Sequence, residues 1–557
     1  MGRTRTYAFS AILILIFGAA PIAHAQTFSV LATFGTTSVA PLNPGSPGVI
    51  AQGRDGNLYS TTSNGGTYGF GTVFKISPSG KLEVLYNFDG THGQAPLGGL
   101  TLGTDGNFYG TTWYGGAYGS GTIFKITPSG KLTVLYSFVE FSSDSGFQPS
   151  APPIEGKDGN WYGTAEYGGN NGAGTVYKFT PSGQFTALHE FGGSDGSDPV
   201  APLVQGANDD FYGTTELGGT VNDGEVFRIT SSGAFKVLSG FDGAGNGGNP
   251  YSPVIQATDG DFFGTASGWG SSEWGTIYKL TPAGIITNLY NFNGNSDGGG
   301  PYAGLVQATD GNLYGAGSGG GFNHGSIYRI TESGNFSVLY DFDGTSGSDP
   351  TVALVQHTDG LLYGDTTCGG TGATGGCVYG PGGGVFYSFD IGLGPFIRFL
   401  RDSGLAGDTI EFLGQGFTSS TTVSFGTAKS STVTVPTQYT GHYLTATVPK
   451  GATTGLVTVT TSGVTLKSNK IFRVIPQINS FSPTSGSVGA SVTINGVSLK
   501  QTTEVRFDGV PVAKTNIAVK SDTEVVVEVP SGAKTGKIVI ATPGGTAMSA
   551  TNFTVSE

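Results

Sequence analysis

The sequence predicts an all-β chain: a closed β-propeller of seven blades followed by two β-sandwiches. Three observations predict it. Glycine fills 98 of 557 positions and only 12% of residues are charged, yet aromatics reach 11%, a composition suited to short buried strands joined by tight turns and unlike disorder. A unit of about 50 residues recurs seven times. The two ends of the repeated region are complementary fragments of one unit.

The unit is most complete at 98–138, GGLTLGTDGNFYGTTWYGGAYGSGTIFKITPSGKLTVLYSF. An apolar run at Leu100–Leu102 stops at Asp105-Gly106, which suits a tight hairpin because both residues tolerate positive φ. An aromatic run follows over Asn107–Thr112, then a glycine-rich loop, a third run over Thr122–Thr127, a Pro128-Ser129-Gly130 turn and a fourth run over Leu132–Phe138. Four strands per unit make one antiparallel sheet.

The aromatic mark of the second strand stands at Tyr59, Tyr109, Tyr162, Tyr212, Phe263, Tyr314 and Tyr363. The third strand also occurs seven times, from GTVFKI to the GGVFYSF that ends at Phe389. The fourth strand follows only six of these, and the spare copy is FSVLATFG at 28–35. In a ring, the spare strand pairs near Phe386 and completes the last blade, which hides the sheet edges that an open array exposes. An open solenoid with the same period wants distinct caps instead. Gly110, Gly163 and Gly213 inside the second strand are expected to permit close backbone approach.

From about Gly392 the period changes. FLGQGFTSSTTVSFG at 412–426 pairs with INGVSLKQTTEVRFDG at 494–509, and VPKGATTG at 448–455 with VPSGAKTG at 529–536. The domains expected are a propeller over 26–391 and sandwiches over 392–475 and 476–557.

The run SPTSGSVGASVTINGVSL with VRFDGVP, VPSGAKTGKIVIATPGG and NFTV resembles the IPT/TIG immunoglobulin-like family over 476–557. Residues 392–475 resemble it more loosely, because FIRFLRDSGLAGDTIEF lacks the usual SP-x-SG turn. The pattern DGNxYGTTxxGG followed by GTVFKITPSGxxTVLYxFDG resembles, over 28–389, the GloVer tandem repeat of choice-of-anchor secreted bacterial proteins. The first resemblance implies a spacer or binding module, and the second implies no defined activity.

Residues 1–25 join a basic start at Arg3 and Arg5, an apolar run from Ala8 to Ala23 and the motif Ala23-His24-Ala25, which predicts a signal peptide cleaved before Gln26. No later segment has the length and apolarity to span a bilayer, so a secreted bacterial protein without a lasting anchor, free or associated with the cell surface, is expected. Net charge is −13 and no basic stripe is visible, which argues against nucleic acid and anionic membranes as partners. Cys368 and Cys377 are expected to form one disulfide in an oxidising compartment. No cofactor, no metal site and a monomer are expected.

An up-down-up-down blade puts its uniform short turns on one face of the ring and its variable middle loops and blade-to-blade links on the other, where recognition is expected. The candidate ligand-binding residues of that face are Tyr68, Trp113, Tyr118, Tyr167, Glu216, Trp269, Glu273, Trp274, Phe322 and His324. Stiff aromatic surfaces with polar edges suit sugar rings or a patch on a surface protein, so an extracellular binding protein with a carbohydrate ligand is expected. Glu166, Asp223 and Asp365 add carboxyls, and paired carboxylates make a polysaccharide hydrolase or lyase the alternative. A purely structural component of the cell surface is a third reading. The Asp-rich links, such as FDGTHG at 88–93, read as Asx-turns rather than calcium loops.

Overall fold

The computed structural model describes residues 26–37, 40–45, 48–140, 145–294, 297–319, 323–372, 376–377 and 380–556, with the backbone alone at 376, 377, 380 and 381. The expected signal peptide, Phe322 and the side chain of Cys377 lie outside the described residues. Within them the chain is all-β, and seven antiparallel sheets of four or five strands precede the two C-terminal groups.

Sheet two shows how the repeat folds. Thr101–Leu102 pairs with Phe108–Thr112, which pairs with Thr122–Ile126, which pairs with Leu132–Ser137. The first turn is closed by its aspartate: Asp105 Oδ1 accepts the Asn107 backbone N–H at 3.0 Å, and Asp105 Oδ2 accepts the Tyr109 hydroxyl at 3.0 Å. Tyr59, Tyr162, Tyr314 and Tyr363 make the same bond to Asp55, Asp158, Asp310 and Asp359. Three of the tyrosines thus held stack on a ring of the next sheet, in the Tyr59–Phe108, Tyr109–Trp161 and Tyr162–Phe211 pairs at 4.0, 3.7 and 3.9 Å. One aspartate therefore fixes both a turn and a contact between sheets.

The two middle strands of each sheet are buried on both faces and the outer strand is half-buried. The glycines of the second strand make room first for a ring: a Cβ on Gly110 would lie 2.6 Å from the Phe124 ring, with the Gly99 carbonyl further off at 3.1 Å, and one on Gly163 would lie 2.5 Å from the Tyr177 hydroxyl. This corrects the expectation of close backbone approach.

Every outer strand has one unpaired residue, and it is a leucine each time: Leu85, Leu135, Leu188, Leu238, Leu289 and Leu339. Thr27–Thr33 has the same irregularity at Leu31 and pairs antiparallel with Val385–Asp390, where Ala32 faces Phe386. That strand completes a sheet with Leu362–Asp365 and Val355–Gln356. Its Leu31 carbonyl packs on Gly80 of sheet one as the Leu85 carbonyl packs on Gly130 of sheet two.

Each sheet shares a hydrophobic cluster with the next. A further cluster joins Ile50, Leu58, Phe74 and Ile76 of sheet one to Val352, Val355, Tyr363 and Phe386 of sheet seven. Polar contacts follow the same path. The Gln205, Gln256, Gln307 and Gln356 side chains accept a backbone N–H from the preceding sheet, and Gln52 of sheet one accepts the Thr358 N–H of sheet seven at 3.1 Å.

Beyond Phe396, two pairs of sheets enclose separate cores, one around Phe412, Phe425 and Phe472, the other around Ile494, Phe507 and Ile540. The first sandwich packs on the Asp-Gly turns of the repeat region. Arg54 pairs with Glu411 at 2.6 Å and lies over the Tyr443 ring at 4.6 Å, while Gln415 donates to the Thr358 hydroxyl at 3.0 Å. Gln501 of the second sandwich bonds both backbone groups of Thr454 in the first, at 2.6 and 3.2 Å.

One position breaks the pattern. The hydroxyls of Thr111, Thr164 and Thr214 each donate to a backbone carbonyl of the following sheet at 3.0, 3.1 and 3.1 Å. Sheet seven has Asp365 there, fully buried, with neither carboxyl oxygen bonded to any described residue. Burial raises its pKa well above the ordinary 3.8, so the folded chain holds it as the neutral acid. Stability is then highest below about pH 4 and falls as pH rises toward the folded value. Asp365→Asn should raise the melting temperature at pH 7, by about 1–3 kcal/mol in stability, and flatten its pH dependence; thermal melts between pH 4 and 8 check this.

Candidate ligand face

The face opposite the first sandwich is built from two backbone positions that recur in every repeat. The first is the residue before the proline that ends each link: Asn43, Ala95, Gln148, Asp198, Asn249, Gly300 and Asp349, all with φ between 53° and 56°. A residue before proline resists this left-handed conformation, so it persists only where neighbours hold it. Asp198 shows how. Its N–H donates to the Ala173 carbonyl at 3.1 Å, and its carbonyl accepts the Glu216 N–H at 3.0 Å. The second position is therefore the residue just after the second strand, occupied by Trp113, Glu166, Glu216 and Ser267 in sheets two to five. Each donates its N–H to the link that leads into its own sheet, and the N–H of that link residue donates back to the middle loop of the preceding sheet, so the loops are laced together at one end of the sheets.

At sheets two to five these positions bring together three carboxyls and three rings. Glu166 Oε2 accepts the Trp113 indole N–H at 3.2 Å and a short bond from the hydroxyl of the buried Ser150. The Tyr167 hydroxyl lies against Glu166, and burial together with that carboxylate pushes the phenol up. Burial, then the charges of Asp198 and Glu166, push Glu216 up to about 7. Burial and the Glu166 charge push Asp198 up to about 6. Tyr251 is raised by burial and by Glu216 and Glu166, and its ring meets Tyr302 edge-on at 5.6 Å.

Of the residues expected from sequence, the structure gathers Trp113, Tyr167 and Glu216. Tyr68 and Tyr118 stand apart at exposed loop tips, 59% and 64% exposed. Trp269 and Trp274 close the base of one loop, but their rings rest on different links, Trp269 against Gly248 and Trp274 against Gly294. Both keep about half their surface, at 48%. Glu273 is exposed beside them, and His324 sits further round, 3.2 Å from the Ser348 hydroxyl. Asp198, Tyr251 and Ser150 were missed as site residues. The sequence signal was the X-Pro step of each link, which marks the backbone position that turns a side chain to this face.

The links themselves behave as Asx-turns. Asp89 accepts the His92 N–H at 2.9 Å, and Asp343 accepts the Ser346 N–H at 2.8 Å. Among the described residues no group of three or more His, Cys, Asp or Glu is arranged to hold a metal ion.

Residues 43–253 and 222–393 match the Gloeobacter/Verrucomicrobia repeat, together more than half of the chain. The chain belongs to that family. Residues 476–555 of this Gloeobacter/Verrucomicrobia repeat protein match the IPT/TIG domain, an immunoglobulin-like module. No curated protein matches the chain. Among solved structures it is similar to a surface glycan-binding protein from Prevotella bryantii, at 19% identity over 28% of this chain and 41% of that one, with a TM-score of 0.22. It is similar to a putative 6-phosphogluconolactonase from Bacteroides uniformis at 17% identity over 55% and 89% of the two chains, with a TM-score of 0.37. It is also similar to a fungal alcohol oxidase of the AA5 family, at 13% identity over 95% and 99%, with a TM-score of 0.36. The chain spans 31% and 41% of the length of the first two solved structures that it matches.

Glu216 keeps its proton well above the 4.5 of an ordinary glutamate. Its contribution to stability is complete below about pH 4.5 and lost as pH rises through about 7. Glu216→Gln should raise the melting temperature at pH 8 and leave it unchanged at pH 4, as measured by calorimetry at the two pH values.

Proposed function

We propose that this chain is an exported binding protein whose ligand, a glycan, docks on the laced loop face against Trp113, Tyr167, Tyr251, Glu166, Asp198 and Glu216. The observation that carries the reading is Glu166, pinned by Trp113 and Ser150 beside an aromatic ring. Sugars need a flat apolar surface for their C–H faces and nearby acceptors and donors for their hydroxyls. The Glu166 carboxyl supplies acceptor oxygens, and Glu216, held up to about 7, supplies a donor when protonated.

In this reading the seven sheets are the blades of a propeller over 26–391, with Thr27–Thr33 as the closing strand. Three relations repeated across the junction of sheets seven and one support the ring: the strand pairing, the shared hydrophobic cluster and the Gln52–Thr358 bonds. The sandwiches over 392–475 and 476–557 cover the turn face and extend away from the ligand. Residues 1–25 are a signal peptide, Cys368 and Cys377 form a disulfide, and the mature protein is an extracellular or cell-surface monomer. Among the described residues no helix is long and apolar enough to cross a membrane.

One observation favours a second reading, a hydrolase or lyase acting on polysaccharide: the two neighbouring carboxyls are unlike, with Glu216 held up to about 7 beside a Glu166 fixed by two donors. Unlike partners of this kind divide acid and base roles.

A glycan array probed with the mature chain should show binding that Trp113→Ala or Tyr251→Ala weakens at least tenfold, while Trp269→Ala combined with Trp274→Ala leaves it intact. The reverse pattern would move the site to the outer loops. Release of reducing ends from a bound polysaccharide, abolished in Glu216→Gln, would establish the enzyme instead. Deleting residues 26–35 should lower the melting temperature by roughly 10 °C or more, and an unchanged melt would refute the closing role of the first strand.

A further inference from the structure

At the opposite end of the sheets from the carboxyl cluster, a cavity of about 1140 Å³ lies between the inner strands and the first sandwich. The sandwich lines it with Arg398, Arg401, Lys467 and Lys470, and the first turn of sheet three adds Lys157. Five of the 26 lysines and arginines of a chain with net charge −13 thus line one half-open cavity, against two carboxylates, Glu155 and Asp402.

The fold accounts for only part of this charge. Arg401 pairs with Asp408 at 3.1 Å, and Lys157 pairs with Asp209 at 2.7 Å and with Asp402 at 3.5 Å. Glu155 is occupied by the backbone N–H and hydroxyl of Thr104, each at 2.7 Å. Arg398 donates to the Gln356 carbonyl at 2.6 Å. Arg398, Lys467 and Lys470 have no carboxylate within ion-pair distance among the described residues. Lys467 and Lys470 are exposed along the cavity wall and Arg398 is half-buried; the packing around Lys470 still draws it below its ordinary pKa, with Asp402 opposing and Arg398 and Lys157 adding to the shift. Burial likewise draws Arg398 down to about 10. Cations gathered around one cavity without matching counter-charge repel one another, and a bound anion relieves that repulsion.

We propose that this cavity is an anion-binding site, in which Lys467, Lys470 and Arg398 hold an oxyanion carrying two or more negative charges. Free phosphate or sulfate has this chemistry, and so does an oligosaccharide of sugar acids. The volume is large enough for a short saccharide as well as for a bare ion. The site shares no residue with the ligand face.

The test is thermal melting and calorimetric titration of the mature chain with inorganic phosphate and, separately, with trigalacturonate, each against chloride at equal ionic strength. A saturable rise in melting temperature with either probe is expected, as for any ligand that binds the folded state. A rise with phosphate alone identifies a free ion, and a rise with trigalacturonate alone identifies a saccharide. Lys467→Gln combined with Lys470→Gln should weaken binding at least tenfold, whereas Trp113→Ala should not change it, so failure here and failure of the glycan site are separable. No rise beyond that of chloride with either probe, or an equal rise in the double variant, overturns the proposal. If the double variant does not fold, acylation of the unmodified chain replaces it: Lys467 and Lys470 should be protected about fivefold or more by the bound probe, and unprotected lysines overturn the proposal.

Discussion

The repeat region depends on where seven residues near the N-terminus make their hydrogen bonds. Thr27–Thr33 fills the outer position of a sheet whose other three strands come from 355–390, more than 300 residues along the chain. Without it, the strand Val385–Asp390, buried along most of its length, would present an unpaired edge and uncovered rings at Phe386, Tyr387 and Phe389. The entropic cost of closing so long a loop grows only slowly with length, and against it stand the backbone bonds and side-chain burial of a whole strand. The irregularity at Leu31 and the seat of its carbonyl on Gly80 repeat what the internal outer strands do, so the junction uses the same parts as every other junction.

Much of this is legible in the sequence alone. The period, the missing outer strand and its spare copy are patterns of identity along the chain, and the turn aspartates announce themselves by the Asp-Gly-Asn spelling. What the spelling concealed was a second task for the same aspartate, holding a tyrosine four residues on so that its ring lies flat against the next sheet. The role of the strand glycines was misread for a related reason: Gly163 yields space to Tyr177 on the adjacent strand, and ring placement is not encoded by period.

The candidate site was legible by composition but not by position. Exposed aromatics are easy to find in loops, yet Tyr68 and Tyr118 sit at loop tips while Trp113 is turned inward onto Glu166. The difference lies in the backbone: Trp113 and the residues up to Gly116 are tied by hydrogen bonds to the link that leads into their sheet, and Tyr118 lies beyond those bonds at the loop tip. Asp198 looked like one more turn carboxylate in an acidic link. Its place before Pro199 separates it from Asp195, which is spent on the Gly192 N–H and His189. Charge followed the same rule: the basic residues, scattered singly through the sequence, converge only once the first sandwich seats against the turns of the sheets.

The leucine irregularity in each outer strand has a consequence for how molecules meet. Two exposed strands join edge to edge only when both offer straight, evenly spaced rows of amide and carbonyl groups. Here the outermost strand of every sheet is interrupted once, midway, with the extra residue breaking the spacing. Seven outer strand edges without such an interruption would each offer a template for joining one molecule to another, and the extra leucine removes that template from every one of them.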